Sequence, residues 1–132
     1  MKITPDTNVL VRAIVRDNDT QYQAATTALQ EAKVVALTTP ALCEFVWVLA
    51  RLYRIGSRDI AEAIRTIAAA SNVTTDEAAV AVGLAALEAG GDFADSVIAY
   101  EGRRLDGETF VSFDRAAVKL LRAEGEAAHL LP

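Results

Sequence analysis

Apolar positions recur along the chain in short blocks, and the spacing inside each block predicts its element. Lys2–Thr4 reads as a first short strand. Val9, Leu10, Ala13 and Ile14 share one helical face, and Tyr22, Ala25, Leu29 and Ala32 share a second. Val34–Thr38 reads as a short buried strand. Thr39-Pro40 supplies a cap and an N-terminal proline for a helix reaching about Tyr53. Gly56 is expected to end that helix and Ser57 to cap the next, in which Ile60, Ile64, Ile67 and Ala68 share a face. Val73 marks a further short strand. Thr74 and Glu77 form a capping-box pattern for a helix ending near Gly90-Gly91. A helix over about Phe93–Leu105, a strand over Thr109–Phe113, a helix over Arg115–Ala123 and a short strand at His129–Leu131 complete the order.

Strands separated by helices imply a mostly parallel sheet covered on both faces, a three-layer α/β/α sandwich. No linker, repeat or low-complexity stretch interrupts residues 1–132, which are read as one domain. Ligands of such sheets sit beyond the carboxyl ends of the strands. Asp6 follows the first predicted strand and Asp114 follows Thr109–Phe113, so both fall at that place. Pro5 donates no ladder hydrogen bond and fits only where pairing is ending.

Composition narrows the function classes. Hydrophobic residues make up 52% of the chain and charged residues 23%, which excludes global disorder. The single Cys43 rules out an internal disulfide, and with the single His129 it cannot build a Cys/His zinc site. The apolar runs Phe45–Ala50 and Ala78–Leu87 fall well short of the ~20 residues that span a bilayer. Asp6 interrupts any signal-type segment, so a soluble, cytoplasmic protein with no membrane partner is expected. The net charge of −5 disfavours general electrostatic binding to nucleic acid. Ten of the thirteen bases are nevertheless Arg, the side chain suited to phosphate.

Several acids stand where acids are unusual. Glu44 lies in a stretch, Ala41–Ala50, that is otherwise apolar all round a helix and is therefore expected to be buried. It is either salt-bridged, for instance by an Arg from another element (Arg51, two turns away, could approach only by its long stem), or part of a site. Asp95 lies in the first turn of another apolar helix, where the helix dipole alone accounts for an acid. Asp92, Asp114 and Asp6 each fit a helix N-cap. If Asp6, Glu44, Asp95 and Asp114 converge, their repulsion requires cations, and hard oxygen ligands suit Mg²⁺ or Mn²⁺. Mg²⁺ held by carboxylates together with substrate phosphate oxygens points to phosphoryl chemistry. Trp47 and Tyr53 are read as core residues before dimer contacts, Cys43 as core, and His129 as a surface or packing residue.

Asp6-Thr7-Asn8-Val9-Leu10-Val11-Arg12 resembles the opening of PIN-domain nucleases, specifically the VapC toxins of bacterial type II toxin–antitoxin pairs. The resemblance continues at Pro40-Ala41-Leu42-Cys43-Glu44-Phe45-Val46-Trp47-Val48-Leu49, at Asp92-Phe93-Ala94-Asp95-Ser96-Val97-Ile98-Ala99 and at Phe110-Val111-Ser112-Phe113-Asp114, in family order. It implies that Asp6 and Asp95 are the principal Mg²⁺ ligands, with Mn²⁺ able to substitute. Glu44 and Asp114 complete the family's catalytic quartet. Asp92 resembles an auxiliary metal-site acid found in part of the family. Thr7, Asn8 and Ser112 resemble polar residues that orient the acids or hold water, Ser112 replacing the more usual Thr.

The reaction implied is hydrolysis of an RNA phosphodiester by water activated by the divalent ion, leaving 5′-phosphate and 3′-OH ends. The resemblance also implies a homodimer and a cognate VapB-type antitoxin. Arg12, Arg16, Arg51, Arg54, Arg103, Arg104 and Arg115 are candidates for holding RNA phosphates. Two phosphotransfer readings compete with the nuclease. A receiver domain needs an acid after a middle strand, yet Thr39-Pro40 follows Val34–Thr38. A haloacid-dehalogenase-like phosphatase needs a second Asp where Asn8 stands. A third alternative is a binding subunit whose acids only cap helices and pair with Arg.

Overall fold

The computed structural model describes residues 1–132, and the chain divides into two compact units, Met1–Asp76 and Glu77–Pro132. The first unit holds three parallel strands, β1 (Lys2–Ile3), β2 (Val34–Leu37) and β3 (Val73–Thr75), with β2 in the middle. Lys2 pairs with Val34, and Val35 with Val73. The helical pair α1 (Thr7–Ile14) and α2 (Asp19–Glu31) connects β1 to β2, and α3 (Thr39–Arg51) with α4 (Ser57–Ala68) connects β2 to β3. Parallel neighbours require such crossovers. Val35 and Leu37 of β2 are buried together with Leu10, Phe45, Leu49 and Ile64 from the helices. Asn72 fixes the approach to β3 by donating its Nδ2 to the carbonyls of Leu29 and Ala32, each at 2.9 Å.

The second unit consists of α5 (Glu77–Glu88), α6 (Phe93–Arg104), β4 (Phe110–Ser112), α7 (Arg115–Ala123) and β5 (Ala128–Leu130). β4 and β5 pair in parallel, Val111 opposite His129. α5 and α6 pack closely because Gly83 has no side chain. A Cβ at Gly83 would lie under 3 Å from three atoms of the fully buried Phe93 ring. The class is α/β and every strand pair is parallel, as the alternation of elements predicted.

Element ends differ from the sequence reading at three places. The cap of α3 is Thr38, whose Oγ1 accepts from Ala41 N at 3.4 Å; Thr39 is already helical and Pro40 occupies the second helical position. α3 stops at Arg51, and the left-handed residue of the following turn is Arg54 (φ 53°); Gly56 instead precedes α4 as its cap residue. Thr74 is a strand residue paired with Ala36, so it does not cap α5, which begins at Glu77. Pairing in β1 ends at Ile3, before Pro5, which removes the conflict between proline and the ladder.

The largest difference concerns α3. Its apolar residues do not all face inward: Ala41, Leu42, Phe45, Val46 and Leu49 are buried, whereas Glu44, Trp47 and Ala50 form an exposed stripe. Trp47 is 53% exposed and is not a core residue of the chain. Glu44 therefore escapes the desolvation expected from sequence. Tyr53 is half-buried, with its hydroxyl donating to Asp17 Oδ2 at 3.2 Å. Cys43 is likewise only half-buried, and His129 is exposed. No helix is long and apolar enough to cross a membrane.

Candidate active site

The sequence-predicted acids fall into two groups, one in each unit. In the first unit, Asp6 caps α1: its Oδ1 accepts from Val9 N at 3.0 Å. Asp6 is exposed where the chain leaves β1, at the carboxyl end of that strand. The next residue, Thr7, reaches across to α3. Its Oγ1 lies 3.3 Å from Glu44 Oε2, to which it donates, and 3.5 Å from Ala41 O. Packing of α1 on α3 thus places Glu44 beside the residue that follows Asp6. Thr7 orients Glu44, and Asn8 is exposed next to it.

In the second unit, Asp92 caps α6, its Oδ2 accepting from Asp95 N at 3.2 Å. Asp114 follows β4 and caps α7, its Oδ1 accepting from Ala116 N at 2.9 Å and Ala117 N at 3.1 Å. Ser112 Oγ accepts from Asp114 N at 2.9 Å and so fixes the backbone that carries the acid. Asp95 differs from these acids because its carboxylate caps nothing. It is half-buried, and its pKa is pushed up to about 6 by burial first and then by the negative charges of Asp92 and Asp114. A hydrogen bond with the Asp92 carboxyl adds to the rise.

Asp92, Asp95 and Asp114 border one cleft of about 460 Å³, and none of the three forms an ion pair with Lys or Arg. The donor set is oxygen only and its charge is uncompensated, which fits a hard divalent cation. No three His, Cys, Asp or Glu side chains are arranged to hold an ion among themselves. One or two carboxylates completed by waters and substrate oxygens are the usual Mg²⁺ arrangement, so the donors present fit such an ion.

The arginines are mostly engaged elsewhere. Arg12 pairs with Asp17 at 2.5 Å, Arg103 with Glu126 at 2.9 Å, and Arg16 stacks over Tyr22. No Arg lines the acidic cleft. Its side-chain donors are Ser96, which lies within the Asp92–Ala99 block without a role assigned to it, and Lys119, which lies outside every block. The position of Lys119, in the second turn after the Asp114 cap, and of Ser96, directly after Asp95, were the available signals.

A search of curated proteins finds no match. The family model of the PIN domain, whose members are in general metal-dependent nucleases using divalent ions, matches residues 3–122. Its span takes in the β1–α1 acid, the α3 acid and the acidic cleft of the second unit, and the chain therefore belongs to the PIN domain family.

Proposed function

We propose that the chain is a Mg²⁺- or Mn²⁺-dependent endoribonuclease acting in the cytoplasm as the toxin of a type II toxin–antitoxin pair. It hydrolyses RNA phosphodiester bonds with Asp6, Glu44, Asp95 and Asp114 as catalytic carboxylates and Asp92 as an auxiliary acid. One observation carries the reading. A half-buried Asp95, held near two further carboxylates and left without a capping role, carries its charge at a cost that a bound cation would relieve.

When bound, the divalent ion supplies Lewis acidity toward phosphoryl oxygens and makes a water molecule acidic enough to attack phosphorus. The protein's own residues hold the acids in place: Thr7 donates to Glu44, and Ser112 and the α7 amides fix Asp114. Substrate RNA, a VapB-type antitoxin and a second copy of the chain are the partners of this reading, which family membership and the four sequence blocks support.

The test is cleavage of RNA by the purified protein with Mn²⁺ or Mg²⁺, abolished by chelation and by Asp95→Asn in a folded variant. Product ends bearing 5′-phosphate and 3′-OH are expected. Cleavage persisting in chelator, or in Asp95→Asn, defeats the assignment. Growth arrest on expression, relieved by Asp95→Asn and by a neighbouring antitoxin gene, tests the toxin role. The exposed acids Asp6 and Asp114 do cap helices, as a non-catalytic binding subunit would require, but Asp95 has no such part.

A further inference from the structure

The cleft beside Asp92, Asp95 and Asp114 is one-sided in its hydrogen-bonding chemistry. Ionised carboxylates only accept. Much of the remaining wall is Ala89, Gly91, Ala116, Ala117, Leu120 and Leu121, none of which has a polar side chain. Ser96 and Lys119 alone supply side-chain donors. Ser96 is 1% exposed, in the floor of the cleft, and its Oγ has no hydrogen-bond partner. Buried hydroxyls are nearly always paired, and leaving one unpaired is destabilising, so this one calls for an explanation. Lys119 is exposed at the same cleft and makes no ion pair.

We propose that Ser96 and Lys119 form the donor side of the cleft and hold a phosphate group of the substrate next to the acids. This rests on the reading of the chain as a phosphodiester hydrolase. A phosphate and a cluster of carboxylates are both anionic and share a site only through a cation between them. The phosphate oxygens turned away from that cation still need donors, and the apolar wall offers none. A hydroxyl donates without adding charge beside the acids. Rotation about χ1 among its staggered positions lets the hydroxyl adjust to an incoming oxygen. The ammonium of Lys119 acts as a mobile point charge for the same anion.

The experiment separates cation from phosphate. Mn²⁺ binding to the metal-free protein is measured first by calorimetry. Binding of inorganic phosphate to the Mn²⁺-loaded protein is then followed by ³¹P relaxation. Ser96→Ala is expected to weaken phosphate binding about tenfold, and Lys119→Met about threefold, with Mn²⁺ affinity held within about twofold of wild type. Because Ser96 Oγ has no partner to lose, metal-free Ser96→Ala should melt no lower than wild type. Unchanged phosphate binding in both variants, with normal Mn²⁺ binding, overturns this inference and leaves the nuclease reading standing. A metal-free Ser96→Ala protein that melts lower also overturns it, by showing that the hydroxyl is structural. A wild-type chain that binds no Mn²⁺ overturns both.

Discussion

Replacing Asp95 by Asn removes a charge that the folded chain holds at a disadvantage. The carboxyl moves from an ordinary pKa of 3.8 to about 6, by burial and by the fields of Asp92 and Asp114. At 1.36 kcal/mol per pKa unit that rise corresponds to about 3 kcal/mol, and solvent screening of a half-buried group reduces it to about 1.5 kcal/mol. A raised carboxyl pKa means that the folded state binds the proton more tightly than the unfolded chain. Its favourable contribution is complete below about pH 4 and is lost as pH rises through 6. Metal-free Asp95→Asn should therefore match wild type near pH 4. At pH 8 it should be more stable by about 1.5 kcal/mol, or roughly 5 °C in melting temperature for a chain of this size. Urea titrations of both proteins in chelator at the two pH values measure the difference. A variant less stable than wild type at pH 8, or a difference independent of pH, would refute the view that Asp95 is held under electrostatic stress.

Further outcomes follow from the same geometry. Saturating Mn²⁺ at pH 8 should raise the melting temperature of wild type by mass action and leave Asp95→Asn nearly unmoved, as scanning calorimetry would show. Asp6→Asn keeps a side-chain acceptor for Val9 N, so its stability should stay within about 0.5 kcal/mol while Mn²⁺-dependent RNA cleavage disappears; a folded, fully active variant would remove Asp6 from the site. Asp114→Ala loses the acceptor for two amides and should be destabilised by about 1–2 kcal/mol in urea, whereas Asp114→Asn should fold normally. Gly83→Ala should lower stability by about 2 kcal/mol in the same assay although Ala favours helix, because its Cβ collides with the Phe93 ring.

Much of this architecture is legible in the sequence because its helix starts are written in short polar residues. Asp6, Asp92 and Asp114 all cap the helices that their positions suggested. The spacing points to Thr39 as the α3 cap, but the extended backbone at its neighbour Thr38 (φ −87°, ψ 152°) makes that residue the cap and leaves Thr39 helical. Thr74 resembles a cap by spacing, but pairing with Ala36 recruits it into β3 and tertiary context overrides the local signal. The sequence hides the outward stripe of α3 because Trp47, Ala50 and the half-buried Cys43 count as apolar, which predicts a submerged Glu44 where the structure has it at the surface. The acids themselves are visible as motifs. The stress on Asp95 is not, because it arises first from burial among folded elements, then from the charges of Asp92 and of Asp114, the latter nineteen positions away in the chain. Lys119 lies outside every motif, and Ser96 lies within the Asp92–Ala99 block but has no role there; only the folded chain places both at the wall of one cleft.

Asp6 and Asp114 each secure a helix through a single oxygen, Oδ1, which leaves Oδ2 uncommitted. A carboxylate tethered in this way has already surrendered its torsional freedom during folding. Engaging a ligand through the second oxygen then forfeits little of the 0.5–1.5 kcal/mol of rotamer entropy, roughly, that a loose surface aspartate would lose on immobilisation. The same tether creates a vulnerability: fraying of the first turn of α1 or α7 releases the acid along with the amides it holds. Activity should accordingly fade with terminal fraying at temperatures below that of global melting.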